Sequence, residues 1–313
     1  MTILLATDFE APALSRWRDL LQAALPDERI VIDRQMVDSA DIDIDIAIVA
    51  NPLPGALQGL TQLRLIQSLW AGVDKLLADA SLPPAVPIAR MVDPAMSAEM
   101  AETALWAVLS LHRGFFTYAA QQRVPTWQAL PQRRADEVAV AVLGLGEMGR
   151  CVALRLAAQD YRVSGWSLRP STLPPITTHH GNAALPEVLR EADIVINLLP
   201  LTPATRGLFC AARFEAMRPG ATLVNLARGA HVVDADLLAA LDRGHLQHAV
   251  LDVFDTEPLP AEHRYWRHPK VTVLPHAAAQ TDARSAAEIA AANVRRLRAG
   301  AALHNLVDRT RRY

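Results

Sequence analysis

Residues 136–150 read DEVAVAVLGLGEMGR, and the fold follows from how that stretch divides. The apolar run 138–143 is unbroken and rich in Val. That is the composition of a strand covered on both faces, as in a parallel sheet. Gly144, Gly146 and Gly149 come next in G-x-G-x-x-G spacing, and the helix-prone segment RCVALRLAAQ follows. The first glycine permits a tight turn, the second lets the backbone approach a pyrophosphate, and the third lets helix and strand pack closely. The helix N-terminus then offers unpaired N–H groups and a positive dipole end to phosphate. G-x-G-x-x-G alone is a weak signal. It requires a strand before it and a helix after it, and this stretch has both. We read it as a dinucleotide site.

Working outward, strand-like runs at 161–167, 194–199, 222–226, 249–253 and 271–274 alternate with helical patterns at 185–191 and 233–242. Such alternation predicts a doubly wound parallel sheet. Upstream, runs at 2–6, 29–32, 46–50, 63–69 and 88–91, with a helix at 14–25, predict a second, smaller α/β unit. A long helical pattern spans 97–120; its Trp106, Leu109 and Phe116 suit a helix packed between domains. A last helix spans 282–298. Asp41, Asp43 and Asp45 alternate with isoleucines but lack the Gly and closing Glu of a calcium loop, which predicts a solvated loop running into strand 46–50. Residues 171–182 read as a loop, and its adjacent His179 and His180 have no third ligand nearby, so no metal site is expected. Trp127, in a proline-flanked loop, is either an interface anchor or a cap on its own domain's core.

Composition narrows the class. A chain of 313 residues has room for two domains, and 51% hydrophobic with 20% charged residues is ordinary for globular cores. The net charge of −2 gives no basic face for nucleic acid or a membrane surface. Cys151 and Cys210 stand in no metal-like spacing and read as small apolar residues in a reducing compartment. The N-terminal run lacks a basic region and a cleavage site, and no apolar run approaches a membrane span. A cytoplasmic soluble protein is expected.

Three charged residues follow strands of the larger unit: Arg228 after VNLA, Glu257 after LDVFDT and His276 after VTVLP. In open α/β sheets, ligands bind at the carboxyl ends of the strands. An Arg can fork onto a carboxylate. A His exchanges a proton near neutral pH, and a neighbouring Glu favours the charged imidazolium. Singly, each is an ordinary surface charge or cap. Together at strand ends they are the kit for reducing a 2-keto acid with a hydride.

The runs GLGEMG, NLLPLTPATRGL, VNLARGAHVVDADLLAALDRG, LDVFDTEPLP and HPKVTVLPHAAA resemble the D-isomer-specific 2-hydroxyacid dehydrogenase family. LWAGVD, WQALP and the ending VDRTRRY resemble its bacterial glyoxylate/hydroxypyruvate reductase A branch. The likeness covers nearly the whole chain. It implies a Rossmann domain, residues 102–276, inserted into a flavodoxin-like substrate domain, 1–101 plus 277–313, with a cleft that closes over the reaction. It implies that Arg228, Glu257 and His276 are catalytic. It assigns Gly144, Leu145, Gly146, Glu147, Met148, Gly149, Leu199, Pro200, Thr202, Pro203, Leu226 and Ala227 to the cofactor, with Arg228, Asp252 and His276 beside the nicotinamide. It assigns Trp70, Ala71, Gly72 and Val73, with Arg228, to the substrate carboxylate. Many family members carry a glycine pair after the histidine, whereas this chain has Ala277, Ala278 and Ala279, as does the branch named.

The implied reaction is reduction of glyoxylate to glycolate and of hydroxypyruvate to D-glycerate, with a homodimer as the working assembly. The alternatives are a dehydrogenase for a bulkier 2-keto acid and a nucleotide-sensing, corepressor-like binding protein. Cofactor choice turns on a missing carboxylate. The dinucleotide fingerprint places an acid about 20 residues on, against the ribose 2′-OH. Here Ser167 stands at that strand end, with Arg169 beside it and no acid between Tyr161 and Gly181. A 2′-phosphate meets no repulsion there and gains a cation. NADPH is therefore expected in preference to NADH.

Overall fold

The computed structural model describes residues 2–32 and 43–313. The chain divides into two compact units, Met1–Ala95 with Thr281–Tyr313, and Met96–Gln280.

The first unit is built on strands β1 (Thr2–Thr7), β2 (Arg29–Val31), β3 (Ile44–Ala50), β4 (Leu65–Ser68) and β5 (Ile88–Ala89). They form one sheet in the order β2-β1-β3-β4-β5, parallel throughout. This is the flavodoxin-like order. Side chains alternate across the pleat. Ile3, Leu5, Ile46 and Ile48 meet Trp17 and Leu21 of helix α1 (Ala11–Ala24), together with Ala286, Ala290 and Val294 of the last helix, Ala283–Arg298. Leu4, Ala47, Val49 and Ile66 face the other way, toward Leu57, Leu63 and Leu76 of the short α2 (Asp74–Leu77). Both faces are covered, so the strands read as continuous apolar runs rather than alternating ones.

Asp45 departs from the solvated loop expected of it. It lies inside β3 and is buried. Its carboxylate accepts from the Arg298 guanidinium at 2.9 Å, and the same guanidinium donates to Glu28 at 2.6 and 2.9 Å. A buried carboxylate survives only when paired, and its partner comes from the far end of the chain, where no local pattern reveals it. Asp43 stands exposed just before the strand, and Asp41 lies outside the described residues.

The second unit carries β6 (Ala139–Leu143), β7 (Arg162–Ser167), β8 (Thr177–His180), β9 (Ile194–Asn197), β10 (Thr222–Asn225), β11 (His248–Leu251) and β12 (Val271–Val273). Their order is β12-β11-β10-β9-β6-β7-β8, again parallel throughout. Chain order reverses on either side of β6, which is the switch point of a doubly wound sheet. Helices α3 (Pro94–His112), α4 (Phe115–Arg123), α5 (Glu147–Ala157), α6 (Leu185–Glu191), α7 (Ala211–Ala216) and α8 (Asp234–Asp242) connect or cover it. Val140, Val142, Ile196 and Val224 pack on Ala104 and Val108 of α3 and Val152 and Leu156 of α5. Ala141, Leu143, Val195 and Leu223 pack on Leu189 of α6, Phe214 of α7 and Leu237 and Leu241 of α8.

Two expectations change here. The helical pattern at 97–120 is two helices, because Gly114 between α3 and α4 takes the left-handed region at φ 73°. The side of α3 that is buried is its alanine side, Ala101, Ala104 and Ala107, while Trp106 and Leu109 are exposed. The expected loop 171–182 contains β8, an edge strand paired to β7 from Ser164↔Thr177 to Ser167↔His180. Its sequence, TTHH, carries no apolar alternation because an edge strand buries little. Among the described residues, no helix is long and apolar enough to cross a membrane.

Candidate active site

The glycine-rich turn behaves as its spacing demands. Gly144 ends β6 at φ 99°, and a Cβ there would lie 2.6 Å from the Leu198 carbonyl oxygen. A Cβ on Gly149 would lie 1.7 Å from the carbonyl oxygen of Gly144, so only glycine lets α5 start this close to the strand. Gly146 is the N-cap of α5, and a Cβ on it meets nothing within 4 Å. The open side of the turn is therefore the side on which a pyrophosphate can approach the helix N-terminus. Leu145 is buried against Gly165, Met148 packs into the core, and Glu147 lies exposed in the first turn of α5. These residues fit a dinucleotide.

Every strand of this sheet runs parallel, so its carboxyl ends lie along one edge. At β9 the edge carries Leu199, Pro200, Thr202 and Pro203. The Thr205 hydroxyl ties that loop, donating to the Pro200 carbonyl at 2.7 Å and accepting from the Thr202 amide at 2.9 Å. At β10 it carries Leu226, Ala227 and Arg228. The first two are buried, and Arg228 Nη1 donates to the Ala227 carbonyl at 2.8 Å.

Glu257 and His276, from the loops after β11 and β12, come together: His276 Nδ1 lies 2.7 Å from Glu257 Oε2. The other carboxylate oxygen, Oε1, accepts from the Phe254 amide at 2.9 Å, which fixes the side chain. His276 itself adopts φ 52°, an uncommon conformation for a residue with a Cβ. Asp252 maintains it. The Asp252 carbonyl accepts from the His276 amide at 2.8 Å, and its carboxylate oxygens accept from the Ala277 and Ala278 amides at 2.7 and 3.1 Å. Burial pushes the Asp252 carboxyl up, while those two amides and the nearby His276 pull it down.

The turn bearing Arg228 is pressed against the Glu257 loop by a residue that sequence reasoning missed. A Cβ on Gly229 would fall 1.8 Å from the Phe254 carbonyl carbon and 2.2 Å from the Asp255 nitrogen. The signal was the glycine inside LARG, legible only once its neighbour across the sheet edge is known. Arg206, from the loop after β9, makes an exposed ion pair with Asp255 of the Glu257 loop, 3.7 Å apart.

At the end of β7, the Ser167 hydroxyl donates to the Arg169 carbonyl at 2.6 Å, and the Arg169 side chain is exposed. Ser167 therefore shapes the turn that carries Arg169. In the other unit, Trp70, Ala71, Gly72 and Val73 follow β4 outside helix and strand. The Ser68 hydroxyl accepts from the Trp70 amide at 3.0 Å and donates to the Trp70 carbonyl at 3.1 Å. The Trp70 ring stands edge-on to Phe9, with centroids 5.8 Å apart.

The profile described as D-isomer specific 2-hydroxyacid dehydrogenase, NAD binding domain, matches residues 105–278. Glyoxylate/hydroxypyruvate reductase A of Yersinia enterocolitica is 36% identical over 310 residues, 97% of each chain. The reductase A of Serratia proteamaculans is 38% identical over 297 residues, 93% of this chain and 94% of that one. Among solved structures, a D-isomer specific 2-hydroxyacid dehydrogenase from Xanthobacter autotrophicus Py2, in complex with NADPH and MES, superposes with a TM-score of 0.93. It is 39% identical, with 100% of this chain and 99% of that one covered. An NADPH-dependent glyoxylate/hydroxypyruvate reductase from Sinorhizobium meliloti, in complex with NADP and sulfate, gives a TM-score of 0.92 at 32% identity, covering 100% and 99%.

Proposed function

This chain belongs to the D-isomer-specific 2-hydroxyacid dehydrogenase family, and on that premise we propose that it reduces glyoxylate to glycolate and hydroxypyruvate to D-glycerate with NADPH. The observation that carries the reading is the His276–Glu257 pair, 2.7 Å apart, at the sheet edge that also bears Arg228. When bound, the dinucleotide supplies the hydride that reaches the carbonyl carbon. Glu257 engages Nδ1, so Nε2 of the imidazolium is the nitrogen that gives its proton to the carbonyl oxygen. The carboxylate of Glu257 holds the ring by Nδ1. Arg228 forks onto the substrate carboxylate and polarises the carbonyl. Asp252 keeps His276 in its left-handed turn.

The cofactor rests on residues 144–149 and on the loops after β9 and β10. The end of β7 supports NADPH over NADH: no carboxylate opposes a 2′-phosphate, and the Arg169 guanidinium pairs with it. The relatives solved with NADPH or NADP support the same choice. We assign the working form as a homodimer. Trp127 is fully exposed, and Trp106, Leu109 and Phe115 present further apolar surface in the same unit, the kind of patch that marks an interface. A monomer in light scattering at micromolar concentration would refute the dimer. Cys151 and Cys210 are both free thiols, which fits the cytoplasm.

Steady-state oxidation of NADPH and NADH against a panel of 2-keto acids tests the whole reading. The highest kcat/KM is expected for glyoxylate or hydroxypyruvate with NADPH. A bulkier keto acid at the top would replace the substrate assignment. Dinucleotide binding without turnover of any keto acid would favour a nucleotide-sensing binding protein.

A further inference from the structure

Beneath the site lies a polar cluster that plays no part in the chemistry above. Asn197, Asn225 and His231 are each 0% exposed. They come from the ends of β9 and β10 and from the short 3-10 turn Gly229–His231 that follows Arg228. A buried polar group costs stability unless its hydrogen bonds are made, and here the donors and acceptors match. Asn197 Nδ2 has two hydrogens and two acceptors, Asn225 Oδ1 at 2.9 Å and His231 Nδ1 at 2.8 Å. An amide nitrogen only donates, so His231 Nδ1 accepts, and the ring hydrogen sits on Nε2. Nε2 faces the Pro200 carbonyl at 3.3 Å. Asn197 Oδ1 accepts from the Leu199 amide at 3.2 Å, and Asn225 Oδ1 from the Ala227 amide at 3.3 Å. Asn225 Nδ2 donates to the carbonyl of Arg228 at 3.0 Å.

We infer that Asn225 and His231, joined through the Asn197 amide, are positioning residues. Asn225 holds the backbone of Arg228, and His231 holds the Pro200–Thr205 loop. The assignment rests on the roles proposed above for Arg228 and for that loop. Each asparagine ends its strand; the first amide of the outgoing loop, Leu198 or Leu226, still reaches a neighbouring strand, and the side chain takes the second, Leu199 or Ala227, where the ladder stops supplying partners. The Asn197 amide then locks the two loops to one another. The Arg228 carbonyl also accepts from the His231 amide at 3.3 Å, so the turn is held from both sides. A network in which every member is satisfied is stiff, and losing one member leaves the others unpaired in a dry interior.

Two variants separate the two tethers. Asn225→Leu removes the hold on Arg228, and His231→Phe keeps an aromatic ring of similar size without its nitrogens. The expected result is a split in KM. Asn225→Leu should raise KM for the keto acid by about 10-fold or more, and by a clearly larger factor than it raises KM for NADPH. His231→Phe should do the reverse, weakening NADPH by about 10-fold. A merely structural role would lower the yield of active enzyme while leaving both KM values alone, and that result would overturn the inference. If either variant does not accumulate in folded form, Asn225→Ser and His231→Gln, which retain a donor, should show the same split in weaker form; wild-type KM values in both would also overturn it. The dissociation constant of NADPH, read from tryptophan fluorescence, keeps the His231 arm independent of turnover. A wild type that binds NADPH but reduces no keto acid would sink the proposed reaction and leave the His231 tether to be judged on binding alone.

Discussion

The last two strands of the larger sheet carry a histidine at opposite edges, His248 at the start of β11 and His276 beyond the end of β12, and the two live by different rules. At the carboxyl edge, His276 is half exposed, stands on Glu257 at 2.7 Å and keeps a ring nitrogen available for chemistry. At the amino end, His248 lies stacked on Phe116, ring centroids 4.7 Å apart and planes 3° from parallel, with Nε2 2.9 Å from the Thr272 hydroxyl. Burial, reinforced by the nearby His268, lowers the pKa of His248 to about 4. One residue type thus stands on a carboxylate at one end of the sheet, where we propose that it donates a proton, and serves as a neutral packing element at the other. What differs is the partner: a carboxylate in reach of water against an aromatic face inside the fold. In an all-parallel sheet the loops that carry ligands gather at the carboxyl edge, so the amino edge is left to packing.

The comparison breaks first at His276. His276→Ala should lower turnover of glyoxylate by about 10² to 10⁴-fold, measured with NADPH at saturation. Near-normal turnover would show that the exposed histidine is not the donor and that the contrast with His248 is only one of burial.

The next effect is on stability. His248 is neutral when folded, with its pKa lowered from 6.5 to about 4. The stability it contributes is therefore fully present above pH 6.5 and is lost as pH falls from there toward 4. The loss amounts to about 3 kcal/mol. Urea unfolding of wild type and His248→Gln at pH 7 and pH 4.5 measures most of it: the wild type should lose about 2 kcal/mol more than the variant, since pH 4.5 is still above the folded pKa. Parallel losses would mean that His248 is as free to charge as a surface histidine.

Glu257→Gln sharpens the other side. It keeps a hydrogen-bonding group on His276 but removes the charge. Turnover should fall by on the order of 10 to 10²-fold, with KM for NADPH nearly unchanged. A variant with wild-type turnover would leave Glu257 a spacer.

The smallest effect is expected at the far part of the same edge, where Arg169 is exposed and only its own turn is braced. Arg169→Ala should raise KM for NADPH by about 3- to 10-fold and leave NADH alone, since exposed charge pairs are weak. Equal shifts for both cofactors would remove Arg169 from the recognition of the 2′-phosphate.

Local pattern determined the parts that depend on neighbours in sequence. The strand, the three glycines and the helix at 138–157 were legible because the turn at Gly144 and the close approach of Gly149 to it lie within a few residues, although the Leu198 backbone that crowds Gly144 comes from another strand. Arg228, Glu257 and His276 were legible as residues after strands, and their sharing an edge follows from the alternation that predicts a parallel sheet. Tertiary structure alone decided the rest. Asp45 reads as a loop aspartate until Arg298 arrives from the other end of the chain. His179 and His180 read as loop residues until β7 gives their backbone a ladder. Gly229 is one more glycine until the Phe254–Asp255 backbone is seen where its Cβ would be. Asn197, Asn225 and His231 lie in runs that resemble the family, but nothing in those runs says that the three meet. Their value lies in a match of donors to acceptors across two strand ends, a property of positions in space that no spacing along the chain encodes.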